Sequence, residues 1–165
     1  MDLHLETTRL LIRPIDLSDA AFIFELVNTE GWLRFIGDRN VGDLKAAETY
    51  IRGLQENPNI HYHTVDLKES REPIGVVTLI KREEEEQPDI GFAFLPQQQK
   101  QGYAFEASKA FLDAVCASDT FDQLIAITLS DNGASIHLLE RLGFSLLKEV
   151  KREEEELRYY RHIPA

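Results

Sequence analysis

Three short apolar runs, His61–Leu67, Ile74–Ile80 and Ile90–Leu95, follow one another with connections too short to hold a helix. Strands joined that closely pair antiparallel, so the middle of the chain lays down a meandering sheet. The rhythm then changes. Gly102–Ala117 reads as a helix with Ala104, Ala107, Phe111 and Ala114 on one face, and Leu124–Leu129 reads as a buried strand. Asn132–Leu142 is a short helix closed by Gly143, and Phe144–Val150 with Glu156–His162 forms a last strand pair. Strand, helix, strand in that order implies a parallel pair joined by a right-handed crossover. Thr8–Ile15 adds a first strand. Ala20–Val27, behind the capping residues Asp16 to Asp19, adds a helix. Asp43–Gln55 adds another, with Leu44, Ala47, Ile51 and Leu54 on one face and Asn57-Pro58-Asn59 as its stop. The expectation is an α/β fold with a mixed, mostly antiparallel seven-stranded sheet and about four helices. No linker divides the chain, so residues 1–165 read as a single domain.

Composition narrows the function classes. The chain is 43% apolar, enough for a core, and no apolar run approaches the roughly 20 residues of a membrane helix. The N-terminus lacks a basic segment followed by an apolar one, and Cys116 is the only cysteine. A reducing cytoplasm is expected. The formal net charge of -11 repels nucleic acid and anionic lipid, so neither is an expected partner. That acidity either only keeps the protein soluble or also favours a cationic partner. His61 and His63 share a strand face without further ligand-spaced residues, so no metal is expected. Cys116 lies late in a helix with no partner base and reads as a packed apolar group. Lys-Arg-Glu-Glu-Glu-Glu occurs twice, at Lys81–Glu86 and Lys151–Glu156, and both copies read as solvated hairpin loops.

The stretch richest in chemistry runs from Asp89 to Ala104. A strand ends at Pro96, a polar loop follows, and a helix begins near Gly102. The first turn of a helix has N–H groups without internal partners, and its dipole favours negative charge. A loop feeding such a turn can cradle a pyrophosphate, and a glycine lets the backbone approach closely. The same glycine can equally be a simple cap.

Gln99-x-x-Gly102-x-Ala104 resembles the Gln/Arg-x-x-Gly-x-Gly/Ala coenzyme A signature of the GNAT superfamily of N-acetyltransferases. The chain resembles the branch that acetylates ribosomal-protein N-termini, a branch with many other small acceptors. The likeness is carried by Glu6–Pro14, by Pro73-Ile74-Gly75, by Ile90-Gly91-Phe92 with Gly102–Ala107, and by Asn132–Ser135 with Leu142-Gly143-Phe144.

The resemblance implies direct transfer of acetyl from acetyl-CoA to a primary amine. It implies a fourth strand that is bulged and splayed from the fifth. The backbones of Phe92 and Phe94 would then bond the pantetheine arm, with Asn132 on its other side. The backbone from Gln99 through Lys100, Gln101, Gly102 and Tyr103 to Ala104 would hold the pyrophosphate. Ser135 or a water is the candidate acid for the departing thiolate, because many members have a tyrosine where this chain has Leu139. Asp89 is the candidate base, though a plain strand-end carboxylate is the simpler reading, and Glu106 reads as structural. Trp32, Phe35 and Ile36 would fall in the region that lines the acceptor pocket in the superfamily, with core packing an equal reading. Glu153–Glu156 are expected to lie nearer the acceptor than Glu83–Glu86, which predicts an amine with extra positive charge. A monomer or homodimer is expected. The alternative is a non-catalytic acetyl-CoA-binding module.

Overall fold

The computed structural model describes residues 1–164. Its strands are β1 (Leu5–Glu6), β2 (Leu10–Pro14), β3 (Ile60–Leu67), β4 (Pro73–Ile80), β5 (Asp89–Phe94), β6 (Leu124–Leu129), β7 (Ser145–Arg152) and β8 (Glu155–His162). The helices are α1 (Ala20–Val27), α2 (Glu30–Phe35), α3 (Leu44–Glu56), α4 (Tyr103–Ala117) and α5 (Gly133–Arg141). The strands form one sheet in the order β1-β2-β3-β4-β5-β6-β8-β7. All neighbours are antiparallel except β5 and β6. The expected seven strands become eight because Leu5–Glu6 pairs with Leu11–Ile12. The expected four helices become five because Thr29 caps a short turn of helix, accepting from the Trp32 N–H at 3.3 Å.

Each face of the sheet carries its own core. Ile12, Val77, Ile90 and Ala126 pack under α4 and α5 with Ala107, Phe111 and Leu139. Tyr62 and Val76 face the other way, under α1 to α3 with Phe22, Ile23, Trp32 and Ile51. Two helix faces differ from their sequence reading. Leu44 is 51% exposed, because it opens α3 before the chain reaches the sheet. On α4 the buried stripe runs through Ala107, Phe111 and Val115, not Ala114.

One tight contact explains the glycine on β4. A Cβ on Gly75 would stand 2.3 Å from the Phe94 ring, so glycine lets that ring lie across β4 opposite its pairing partner. Arg13 joins elements through charge. Its Nη2 donates to Asp19 Oδ1 at 2.8 Å, and its Nε donates to Asp66 Oδ2 at 2.8 Å. Asp19 also accepts from Thr64 and from the Asp16 backbone, so the buried carboxylate is fully engaged.

Candidate active site

The parallel pair is where the sheet opens. β5 and β6 meet at a single register position, Asp89 opposite Ile125, with the Ile125 N–H donating to the Pro88 carbonyl at 3.0 Å. Beyond that point the two strands diverge, leaving a wedge between Ile90–Phe94 and Ala126–Leu129. The expected splay is therefore present. The expected bulge is absent where β5 meets β4, because these strands pair residue for residue from Gly75–Phe94 to Ile80–Asp89.

Strand backbone groups alternate in direction. Pro88 turns its carbonyl toward β6, and Leu95 turns its N–H to the Ile74 carbonyl on β4 at 2.9 Å. The N–H and C=O of Phe92, and the N–H of Phe94, therefore face the wedge without a strand partner. The Phe94 carbonyl is already occupied, accepting from Gln99 Nε2 at 3.1 Å. Gln99 thus spends its side chain tying the loop back to the strand end.

The loop beyond makes a concave turn. Lys100 and Gly102 both have left-handed backbones, with φ of 63° and 84°. Gly102 is the N-terminal cap of α4, and the Glu106 N–H is the first to find a helical partner, the Gly102 carbonyl at 3.1 Å. Among the described residues, the N–H groups of Lys100, Gln101, Gly102, Tyr103, Ala104 and Phe105 have no acceptor. A row of free amides at the positive end of a 15-residue helix fits a pyrophosphate.

Asn132 caps α5 across the wedge, its Oδ1 accepting from the Ser135 N–H at 3.3 Å. Among the described residues its amide NH2 and the half-buried Ser135 hydroxyl have no hydrogen-bond partner. Leu139 is 1% exposed and belongs to the core under α5, so a tyrosine there would have to displace packed neighbours. Asp89 is buried and paired with Arg82 through Nε and Oδ2. Burial pushes its carboxyl above the usual range, and Arg82 pulls the other way. Trp32 lies in the core under α1 to α3, its indole Nε1 buried without a partner, while Phe35 is half-buried and Ile36 exposed.

Sequence reasoning missed one group. Tyr159 is 1% exposed, and its hydroxyl donates to Glu85 Oε1 at 2.7 Å and accepts from Arg152 Nη2 at 3.1 Å. The tyrosine hydroxyl is raised, first by burial and then by the Glu85 hydrogen bond. Its partner Ile127 shares the sheet side of Asp89 and Ala93, so Glu85 crosses the α1–α3 face of the sheet. Most of the first acidic run is exposed, as its sequence suggested, but Glu85 leaves the solvent and turns onto the sheet. The eight residues 81–88 are long enough to fold back, and Tyr159 supplies a buried donor that recruits Glu85.

The sequence model of the acetyltransferase (GNAT) domain family matches residues 9–145. The chain belongs to the GNAT acetyltransferase family. This GNAT chain is 26% identical over 145 residues to the uncharacterized N-acetyltransferase YoaA of Bacillus subtilis strain 168, covering 85% of this chain and 81% of that protein. Among solved structures it resembles the RimL ribosomal L7/L12 α-N-protein acetyltransferase in complex with coenzyme A. The TM-score is 0.85, the identity 18%, and 98% of each chain is covered. It also resembles the spermidine N-acetyltransferase of Vibrio cholerae in complex with CoA and spermine. There the TM-score is 0.81 at 16% identity, with 96% of this chain and 97% of that chain covered. The GNAT fold assignment and the N-acetyltransferase class are those expected from the sequence. Among the described residues no acidic, histidine or cysteine cluster could hold a metal ion, and no helix is long and apolar enough to cross a membrane.

Proposed function

We propose that this GNAT enzyme transfers acetyl from acetyl-CoA to a primary amine bearing extra positive charge. The observation that carries the coenzyme half is the row of free amides from Lys100 to Phe105 at the open end of the β5–β6 wedge. In this reading those amides and Gln99 to Ala104 hold the pyrophosphate. Phe92 and Phe94 offer their backbone N–H groups to the arm, and the Asn132 amide closes the other side. Two bound groups held in line supply much of the acceleration. The Phe92 N–H polarises the thioester carbonyl. Ser135 gives a hydrogen bond to the sulfur as negative charge builds there. Asp89, its carboxyl raised by burial, takes the proton from the ammonium. The amine enters from the face covered by α1 to α3, beside Trp32 and the Tyr159–Glu85 pair.

The test is turnover of acetyl-CoA with a panel of N-terminal peptides, polyamines, amino acids and aminoglycosides, read by thiol release and by mass of the product. Acetylation of a polyamine or lysine-rich peptide above the others is expected. Coenzyme binding without thiol release from any amine would instead make the chain a coenzyme-binding module. Ser135→Ala should lower kcat about tenfold or more with little change in coenzyme affinity. Asp89→Asn should remove the acid limb of the pH–rate profile. An unchanged profile would leave Asp89 as the strand-end partner of Arg82.

A further inference from the structure

The segment before β2 is held against the coenzyme loop by more contacts than a chain terminus needs. Thr7 Oγ1 donates to Glu106 Oε2 at 2.6 Å, and the Arg9 N–H donates to the same oxygen at 2.9 Å. Arg9 Nε donates to Glu106 Oε1 at 2.7 Å, and Nη1 donates to the Gln101 carbonyl at 3.0 Å. The guanidinium carbon lies 4.3 Å from the centre of the Tyr103 ring. Burial pushes the Glu106 carboxyl up, but the Thr7 and Arg9 hydrogen bonds outweigh it and hold the carboxyl below its usual range. The segment is itself braced from β3 and the turn after it, with Lys68 Nζ on the Thr7 carbonyl at 2.9 Å and the Lys68 N–H on the Arg9 carbonyl at 2.8 Å.

Three residues of the loop, Gln101, Tyr103 and Glu106, thus converge on one guanidinium. Its remaining nitrogen, Nη2, makes no hydrogen bond among the described residues and would stand 3.2 Å from a Cβ placed on Gly102. That is the position where the free amides gather. Gln99 brings no charge to the loop, and its amide is turned back to Phe94.

We infer that Arg9 is a coenzyme-positioning residue: it holds Gln101–Glu106 in the phosphate-receiving shape and turns Nη2 toward the phosphates as the cation that Gln99 does not supply. The inference rests on the coenzyme site proposed above. A planar fork suits this task better than an ammonium, because Nε, Nη1 and Nη2 address three partners from one rigid group.

The test compares Arg9→Ala and Arg9→Lys with the unaltered enzyme. It uses calorimetry with coenzyme A, and kinetics with acetyl-CoA and with S-acetylpantetheine, which lacks the pyrophosphate. For Arg9→Ala, coenzyme A affinity should fall roughly 10- to 100-fold, the range for losing a charge-assisted hydrogen bond. The KM for acetyl-CoA should rise in parallel, kcat should change about threefold or less, and kcat/KM for S-acetylpantetheine should stay within about twofold. Arg9→Lys should keep part of the affinity and its salt dependence. Unchanged coenzyme A affinity in Arg9→Ala would overturn the inference. So would an equal loss toward S-acetylpantetheine, which would mean a general loss of structure. An unaltered protein that binds coenzyme A but acetylates no amine would sink the proposed function and still leave Arg9 testable by calorimetry.

Discussion

Lys81–Glu86 and Lys151–Glu156 have the same six residues and opposite fates. The second copy is a hairpin: Arg152 pairs with Glu155, Lys151 with Glu156, and all six side chains are exposed. Glu153 takes the left-handed turn position at φ 55°. The first copy forms no strand. Lys81 Nζ gathers the Arg82 and Glu85 carbonyls, Arg82 reaches the buried Asp89, and Glu85 turns inward to Tyr159. The hexapeptide is the same, so its flanks decide. Residues 145–152 and 155–162 pair across the second copy at short range. The first is followed by Gln87-Pro88, and proline has no N–H to extend a ladder. The two copies then meet, with Arg152 of one 3.9 Å from Glu85 of the other. Like residues become structural or free according to whether a buried partner lies in reach.

The same contrast recurs two residues apart on β3, and there the largest effect is expected. His63 is 1% exposed, lies with its ring 5.1 Å from that of Phe111 at a tilt of 53°, and accepts from the Leu3 N–H at 3.0 Å. Its half-buried neighbour His61 sits 2.9 Å from the N-terminal amine. Burial, then the charge of His61, depress the His63 pKa to about 4. A histidine lowered in the folded state adds stability above its unfolded pKa of 6.5, and that stability is lost as pH falls toward 4. Denaturant melts should lose roughly 2–3 kcal/mol across that window. His63→Asn should flatten the slope. A His61 variant that flattened it equally would erase the contrast.

Glu85→Ala comes next. It leaves the proton of the buried Tyr159 hydroxyl without its acceptor, although Arg152 still donates to the oxygen, and should cost about 1–3 kcal/mol, whereas Glu155→Ala in the exposed copy should stay within about 0.5 kcal/mol. Adding Tyr159→Phe should recover part of the Glu85→Ala loss, because the unsatisfied donor is gone. Equal costs at Glu85 and Glu155 would mean that the inward turn of Glu85 contributes nothing.

The smallest effect concerns capture of a cationic amine. Glu85 of the first run and Arg152 of the second meet at the Tyr159 hydroxyl. Glu153→Gln with Glu154→Gln, and separately Glu83→Gln with Glu84→Gln, should each raise the KM for a polyamine about two- to threefold, with the effect vanishing in high salt. An effect from Glu153 and Glu154 alone would restore the distinction that the sequence suggested. No effect from either pair would leave both runs as solubility features.

Much of the site was legible in the chain because short-range rules govern it. A strand that ends at Pro96, a polar loop and a glycine before a helical stretch mark a junction with free amides, and the structure puts that junction at the open end of the wedge. The strand and helix order, the parallel pair and the cap at Gly143, with φ 93°, are likewise local or nearly so. Legibility failed where a side chain's partner is distant in sequence. Glu106 reads as structural from its helix position, but its clamp on Thr7 and Arg9 spans about a hundred residues. Glu85 and Tyr159 are 74 residues apart, and no periodicity announces such a pair.

What the sequence determined by itself was the order of elements, the turn chemistry and the loop-to-helix junction whose N–H groups lack acceptors among the described residues. All of these follow from torsions and hydrogen bonds within a few residues. Tertiary structure decided which of two identical acidic runs is engaged, which of two histidines is buried, and that Gln99 faces inward while Arg9 stands beside Gly102. These are choices among side chains of equal intrinsic character. Only the low-dielectric contacts of the folded chain separate them, because the energy of a charge or hydroxyl is set by what surrounds it.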